Sequence, residues 1–236
     1  SFITAMKMFP DDGSYPHGIN LWIYEYTFLA RITEMLYRFT DLNFWERKEF
    51  WKNSSMFRQL AASPDLLYGV TFGDPQFRVC GDAWIHFLIA LRTKCNKALS
   101  FGNSLADLDT SGVDHRNVMP SRRIFEFIYC KQRQKDKYVF PDGCFIFKDT
   151  GQVFIRKNDF LFTVKCGAPL GVQRYKMGEW SGYGHSDPNN GAFLVYDKGE
   201  FSLVGQESSY KRNTEFHNTI TINGIGQIGD KMVWSP

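Results

Sequence analysis

Apolar residues in this chain recur at helical spacing through its first half and in short strand-like runs after Tyr138, and the texture changes once. Helices first and strands later imply two domains rather than an interleaved parallel sheet. The fold class that follows is α+β, with a border somewhere between residues 100 and 138.

The first half is punctuated by breakers. Phe2 to Met8 resembles the end of a helix, and Pro10-Asp11-Asp12-Gly13-Ser14 is a turn. Ile19 to Phe39 is a long apolar and aromatic run. Its polar residues Thr27, Arg31, Glu34 and Arg38 fall on one stripe, so the pattern predicts an inner helix buried on most sides. Asp41 to Ala62 carries weaker helical signals, with Trp45, Phe50, Trp51, Phe57 and Leu60 as core candidates, and Ser63-Pro64-Asp65 breaks it. Asp82 to Leu99 reads as one clear helix. Phe101 to Arg122, rich in Gly, Ser, Asp and Asn, reads as a long loop, and Ile124 to Cys130 suits helix or strand equally.

From Tyr138 onward, turns divide short apolar runs: Cys144 to Phe147, Val153 to Arg156, Phe160 to Lys165, Phe193 to Tyr196, Phe201 to Val204, Thr219 to Ile222 and Met232 to Trp234. Asp149-Thr150-Gly151, Asp197-Lys198-Gly199 and Ile222-Asn223-Gly224 are hairpin-like separators. The expectation is an antiparallel sheet arranged as a sandwich.

Aromatic residues make up 17% of the 236 residues, which argues against disorder and suits stacking on sugar faces, although most such rings belong in a core. A formal net charge of +3 is too small to point to nucleic acid but is compatible with an acidic ligand. Five widely spaced cysteines exclude a fully paired intrachain disulfide framework. No signal peptide and no stretch of membrane-spanning length is visible. The opening at Ser1, inside a helix-like segment, reads as part of something longer.

The chemistry-bearing residues cluster late. His185, Asp187, Glu207, Tyr210 and His217 fall within one strand-rich stretch. Asp187, Glu207 and His217 are ligand types that Zn or Mn accepts, brought from three places on one sheet. The alternative is a set of ordinary polar loop residues. His86, mid-helix beside Trp84, reads as a packed core histidine, and His115 as a solvated one. Arg122 and Arg123 form a basic pair near the border, either solvated or in contact with an anionic sugar.

Four stretches, in order, carry a resemblance to the heparinase II/III-like polysaccharide lyases. Asp11-Asp12-Gly13-Ser14-Tyr15-Pro16-His17-Gly18 resembles the family's turn before an inner toroid helix. Phe140-Pro141-Asp142-Gly143 resembles the entry to its β-domain. Gly184-His185-Ser186-Asp187-Pro188, with Phe193-Leu194-Val195-Tyr196 and Gly199, resembles its GHxHPD stretch and the strand after it. His217-Asn218-Thr219-Ile220, with Asn223-Gly224 and Gly226-Gln227, resembles its HNT stretch.

The resemblance implies that residues 1–122 are the C-terminal part of an (α/α) toroid and residues 123–236 the start of an antiparallel β-sandwich, with a glycan cleft between them. It implies β-elimination at a 4-linked uronic acid: a base removes the C5 proton, an acid protonates the leaving oxygen, and positioned donors stabilise the enolate-like intermediate. By position, His185, Tyr210 and Tyr24 are the implied catalytic residues, and His17, Trp22 and Arg123 the expected substrate contacts. Asp187, Glu207 and His217 are the implied ligands of a divalent metal, Zn, Mn or Ca, with a structural role.

Two departures stand out. His17 replaces a glutamate of the family's turn, and of the two positions where the family carries tyrosine this chain has Leu21 and Tyr24. If the essential tyrosine belongs at Leu21 it is missing; if at Tyr24 it is retained. The implied partners are an acidic polysaccharide or oligosaccharide, upstream toroid helices of a longer protein, and, compatibly, a second copy in a homodimer. Neither nucleic acid nor a membrane is expected, and the implied location is periplasmic or extracellular. A uronyl C5-epimerase and a non-catalytic glycan-binding protein on the same fold are the alternatives. A glycoside hydrolase would need two carboxylates flanking the sugar bond.

Overall fold

The computed structural model describes residues 1–70, 72–73, 82–110, 120–130, 138–178, 185–203 and 213–230. Its α-helices are α1 (Phe2–Met8), α2 (Ile19–Phe39), α3 (Lys48–Leu60), α4 (Ala83–Thr93), α5 (Asn96–Thr110), α6 (Pro120–Tyr129) and α7 (Val172–Lys176). Its strands are β1 (Gly143–Phe147), β2 (Gln152–Lys157), β3 (Phe160–Lys165), β4 (Ala192–Asp197) and β5 (Glu200–Leu203). The fold is mixed α+β. No described helix is long and apolar enough to cross a membrane.

The turn before α2 is dictated locally. Asp12 Oδ1 accepts from the amide and the hydroxyl of Ser14, at 3.0 and 2.7 Å. Gly13 follows with φ +73°, and a Cβ there would meet Ser54 N of α3 at 2.2 Å. Only glycine satisfies both the left-handed backbone and the close approach.

The helical core is aromatic. Trp22 stacks between Tyr26 and His86, Phe50 and Trp51 close on Tyr26, and Phe57 meets the sheet through Phe147 and Phe154. His86 is a packed core residue: Nδ1 meets Ser55 Oγ at 2.9 Å, Nε2 meets Asp82 Oδ2 at 3.3 Å, and all three residues are fully buried.

Several sequence expectations are corrected here. The long helix splits at Lys94, which takes a left-handed conformation (φ 59°), so that α4 and α5 fold back on one another as a helical hairpin. Residues 101–110, expected as loop, complete α5, and α6 begins at Pro120, inside the same expected loop. Small residues mark this loop-like composition because α5 packs closely: a Cβ on Gly102 would sit 2.9 Å from the Phe87 ring. Residues 111–119 lie outside the described residues. The expected border at 122/123 falls within α6, whose Phe125 and Tyr129 pack on Trp84 of α4.

The helix α2 is not buried on most sides. Its polar stripe turns inward: Thr27 and Glu34 are buried, Glu34 accepts from both Arg38 and Arg92, and Arg31 lies over the Phe125 and Trp84 rings. The opposite side exposes Tyr24, Phe28, Ile32, Met35 and Phe39.

The strands form one antiparallel sheet in sequence order, β1-β2-β3-β4-β5. Alternation sends Phe147, Phe154, Leu161, Thr163, Lys165, Leu194 and Tyr196 to the buried face. Arg156, on that face, donates from Nη1 to Leu60 O and Ala62 O at 2.6 and 2.7 Å, so it docks β2 onto the otherwise unsatisfied carbonyl end of α3. Thr219 to Ile222, expected as a strand, is instead irregular; only the Ile222–Ile225 bridge closes the Asn223-Gly224 turn. Val204 and the expected run Met232 to Trp234 lie outside the described residues. Among the described residues Cys95, Cys144 and Cys166 are free thiols.

Candidate functional site

Three of the sheet's connections are tight turns. The fourth runs from Cys166 to Gly191, leaving β3 at the rung Lys165–Ala192 and returning at the same rung. This excursion carries α7 and the turn His185-Ser186-Asp187, and it meets the turn that precedes α2.

Ser186 joins the two. Its hydroxyl donates to Pro169 O at 2.7 Å and lies 3.1 Å from His17 Nδ1. The His17 ring stands edge-on to those of Tyr15 and His185, with centroids 5.4 and 6.1 Å away. Gly73 pairs with Ser186 and threads between the turns, where a Cβ would fall 2.5 Å from His185 O and 2.6 Å from His17 O.

Behind the histidines sits a buried cation. Lys165, at the inward end of β3, is 1% exposed and directs Nζ toward Pro16 O at 3.4 Å. Burial pushes its ammonium down to about 8, with Asp187 opposing. His217 is also lowered, by burial first and by the Lys165 charge second. Asp187 Oδ2 lies 3.9 Å from His217 Nε2.

On the outer side stands Arg174, on α7. Its Nη1 is 3.4 Å from His17 Nε2, and its Nη2 is 3.6 Å from Glu25 Oε2. Tyr15 is fully buried and neighbours Glu25. Burial first, then that negative charge, hold its phenol well above the ordinary range. The segment bearing Arg174 is tied down by a relay: the Asp149 amide donates to Asp12 Oδ2 at 2.9 Å, and Asp149 Oδ1 accepts from the Gln173 amide at 2.6 Å.

Of the residues singled out from the sequence, His17, His185, Asp187 and His217 meet in this region. Trp22 does not: it is fully buried between Tyr26 and His86, so the expected sugar contact is corrected to a core role. Tyr24 is 59% exposed, packs edge-on against Phe28, and lies about 200° around α2 from the buried Trp22. Leu21 packs against the core. Arg123 belongs to α6, but its side chain is outside the described residues, as are Glu207, Tyr210 and Gly184.

Two of the three implied metal ligands are therefore placed. Among the described residues no group of three or more metal-binding side chains forms. The pair itself fits a divalent ion. Bonds of about 2.0–2.2 Å to oxygen and nitrogen separate tetrahedral donors by roughly 3.4 Å, close to the observed 3.9 Å. Among the described residues His217 Nε2 has no hydrogen-bond partner, a status it shares with several buried core atoms.

Sequence reasoning missed Lys165, Arg174, Glu25, Tyr15 and Gly73. Lys165 was accessible to it, since alternation from Leu161 and Thr163 places that lysine on the buried face. Arg174 and Gly73 carry no local signal, because only the tertiary meeting of the two turns gives them a role. No protein-family model matches the chain, and no curated protein matches it.

Proposed function

We propose that this chain carries part of the active site of a polysaccharide lyase of the heparinase II/III type, cleaving a uronic-acid-containing glycan by β-elimination. The observation that supports it is the meeting of His17 and His185, from distant parts of the chain, at a ring separation of 6.1 Å. They lie among the cationic groups Lys165 and Arg174.

In this reading His185 exchanges a proton with the sugar, and Tyr210 is its acid/base partner. The surrounding positive charge stabilises the developing enolate. Tyr15, although beside His17, stays protonated and serves as packing. Asp187 and His217, with Glu207 as a third ligand, would hold a divalent metal. Such an ion, when bound, supplies fixed positive charge that clamps these segments beside the cleft. The helices belong to a partial toroid and the sheet to a β-sandwich, and the protein works on an acidic glycan in the periplasm or outside the cell.

Ultraviolet absorbance of glycan digests tests this, with alginate, heparan, chondroitin and hyaluronan as substrates. A rise from the conjugated unsaturated uronate, lost in His185→Ala and Tyr210→Phe, is the expected result. No rise on any uronate-containing glycan refutes it. A second reading, a glycan-binding protein without turnover, draws on the outward position of Tyr24 and the raised pKa of Tyr15. Binding without cleavage and without solvent hydrogen exchange at C5 would favour it. Exchange at C5 without cleavage would favour the C5-epimerase.

A further inference from the structure

The hydrogen bonds around His17 fix its protonation pattern. Ser186 has one hydroxyl hydrogen, and its 2.7 Å contact with Pro169 O claims it. Toward His17 Nδ1, at 3.1 Å, Ser186 Oγ therefore accepts, and Nδ1 carries the proton. On the far side of the ring stands Arg174, which can only donate. His17 Nε2 accepts from it. The imidazole is neutral and oriented from both ends, and it holds one arm of the Arg174 guanidinium in place.

The rest of that guanidinium is underused. Two other arginines, Arg58 and Arg92, are each forked onto a carboxylate at hydrogen-bond distance, whereas the buried Arg156 donates to backbone carbonyls. Arg58 holds both oxygens of Asp82 at 2.8 and 3.2 Å, and Arg92 holds both oxygens of Glu34. Arg174 has five N–H donors, yet its acidic neighbour Glu25 stands at 3.6 Å, beyond hydrogen-bond reach. Its side chain remains 19% exposed, at the rim beside the two histidines. A planar fork with spare donors, held by a rigid relay and open on one side, matches the geometry of a carboxylate.

We propose that Arg174 receives the carboxylate of a hexuronate through the donors Glu25 leaves uncommitted, with His17 Nε2 setting the plane of the fork. Arg174 is then a substrate-binding residue and His17 a positioning residue. Glu25 is a standby counter-ion that competes weakly with the ligand. This inference rests on the uronate class named under the proposed function, but it does not depend on turnover.

The test uses the whole chain and methyl β-D-glucuronoside as probe, with methyl β-D-glucoside and glucose 6-sulfate beside it, followed by ligand-observed NMR titration. Wild type is expected to bind the glucuronoside in preference to both others. Arg174→Gln is expected to lose about tenfold or more in affinity, the worth of a charge-assisted contact. Arg174→Lys, which keeps the charge and loses the fork, should fall between, and Glu25→Gln should bind several-fold more tightly. Unchanged thermal melting of Arg174→Lys separates lost contacts from lost folding. Failure of wild type to bind the glucuronoside, or equal binding by both Arg174 variants, overturns the assignment. Equal affinity for glucose 6-sulfate overturns the carboxylate preference. If no glycan is cleaved but the glucuronoside still depends on Arg174, the lyase reading fails and this inference stands. If a glycan is cleaved with kcat/KM unchanged in Arg174→Gln and Arg174→Lys, the reverse holds.

Discussion

Arg58 grips both carboxylate oxygens of Asp82 with neither side chain exposed, and His86 closes on the same carboxylate from the next turn of α4. Burial alone would raise the Asp82 pKa, but Arg58 and His86 together hold it well below the usual carboxylate range. Its stabilising effect is fully present above the unfolded pKa of about 3.9 and is lost as pH falls through the folded value. Burial lowers His86, so the unfolded chain takes up that proton first and stability also declines below about pH 6.5. Acid titration followed by circular dichroism should show both phases. Asp82→Asn should cost about 3–5 kcal/mol in urea melts at pH 7, because it strands the Arg58 charge in the core.

Gly73 is the only residue type that fits between the His17 and His185 carbonyls. Gly73→Ala should push the two turns apart and destabilise by about 1–3 kcal/mol. The imidazole resonances of both His17 and His185 should shift together in NMR spectra. Movement of one alone would contradict the shared contact.

Lys165 titrates near 8 in the folded chain and near 10.4 when unfolded, so the unfolded state binds more protons between those values. Stability therefore rises with pH across that window, by roughly 3 kcal/mol at its upper end. Lys165→Met should remove this rise while leaving the acid phases in place. Chemical denaturation at pH 7.5 and 9.5 measures the difference directly.

Asp149 has a raised pKa, chiefly through burial and with Asp12 adding to it, so its ionised form is the less favoured one in the fold. A raised acid loses stability as pH climbs through its folded pKa. Asp149→Asn keeps an acceptor for the Gln173 amide and drops the charge, and it should melt higher than wild type at neutral pH. Asp149→Ala removes the acceptor, loosens α7 at a cost of about 1 kcal/mol, and should weaken glucuronoside binding through Arg174.

Much of the fold is legible in the sequence because it is local. The bounds of α2, the Asp12-Gly13 turn and the strands β1 to β4 follow from periodicity and turn chemistry. What misled was composition standing in for packing. Gly102, Asn103 and Ser104 look like loop residues, but they let α5 lie close against α4. The polar stripe of α2 looks like its solvent face, yet Arg92, far away in sequence, pulls Glu34 inward. The site was half visible. His17, His185, Asp187 and His217 announce themselves by type, while Arg174 and Glu25 gain meaning only once two distant turns touch.

The excursion between β3 and β4 leaves and re-enters the sheet at the single rung Lys165–Ala192, and the Gly191 amide donates across it to Lys165 O at 2.7 Å. The sheet is thus closed beneath its own longest loop. Lengthening such a loop costs little, about 0.6 kcal/mol per doubling, because its ends stay joined by strand pairing. Insertions in the connection between Lys165 and Ala192 therefore leave the strand register fixed, because the rung that sets it is made by the strands themselves.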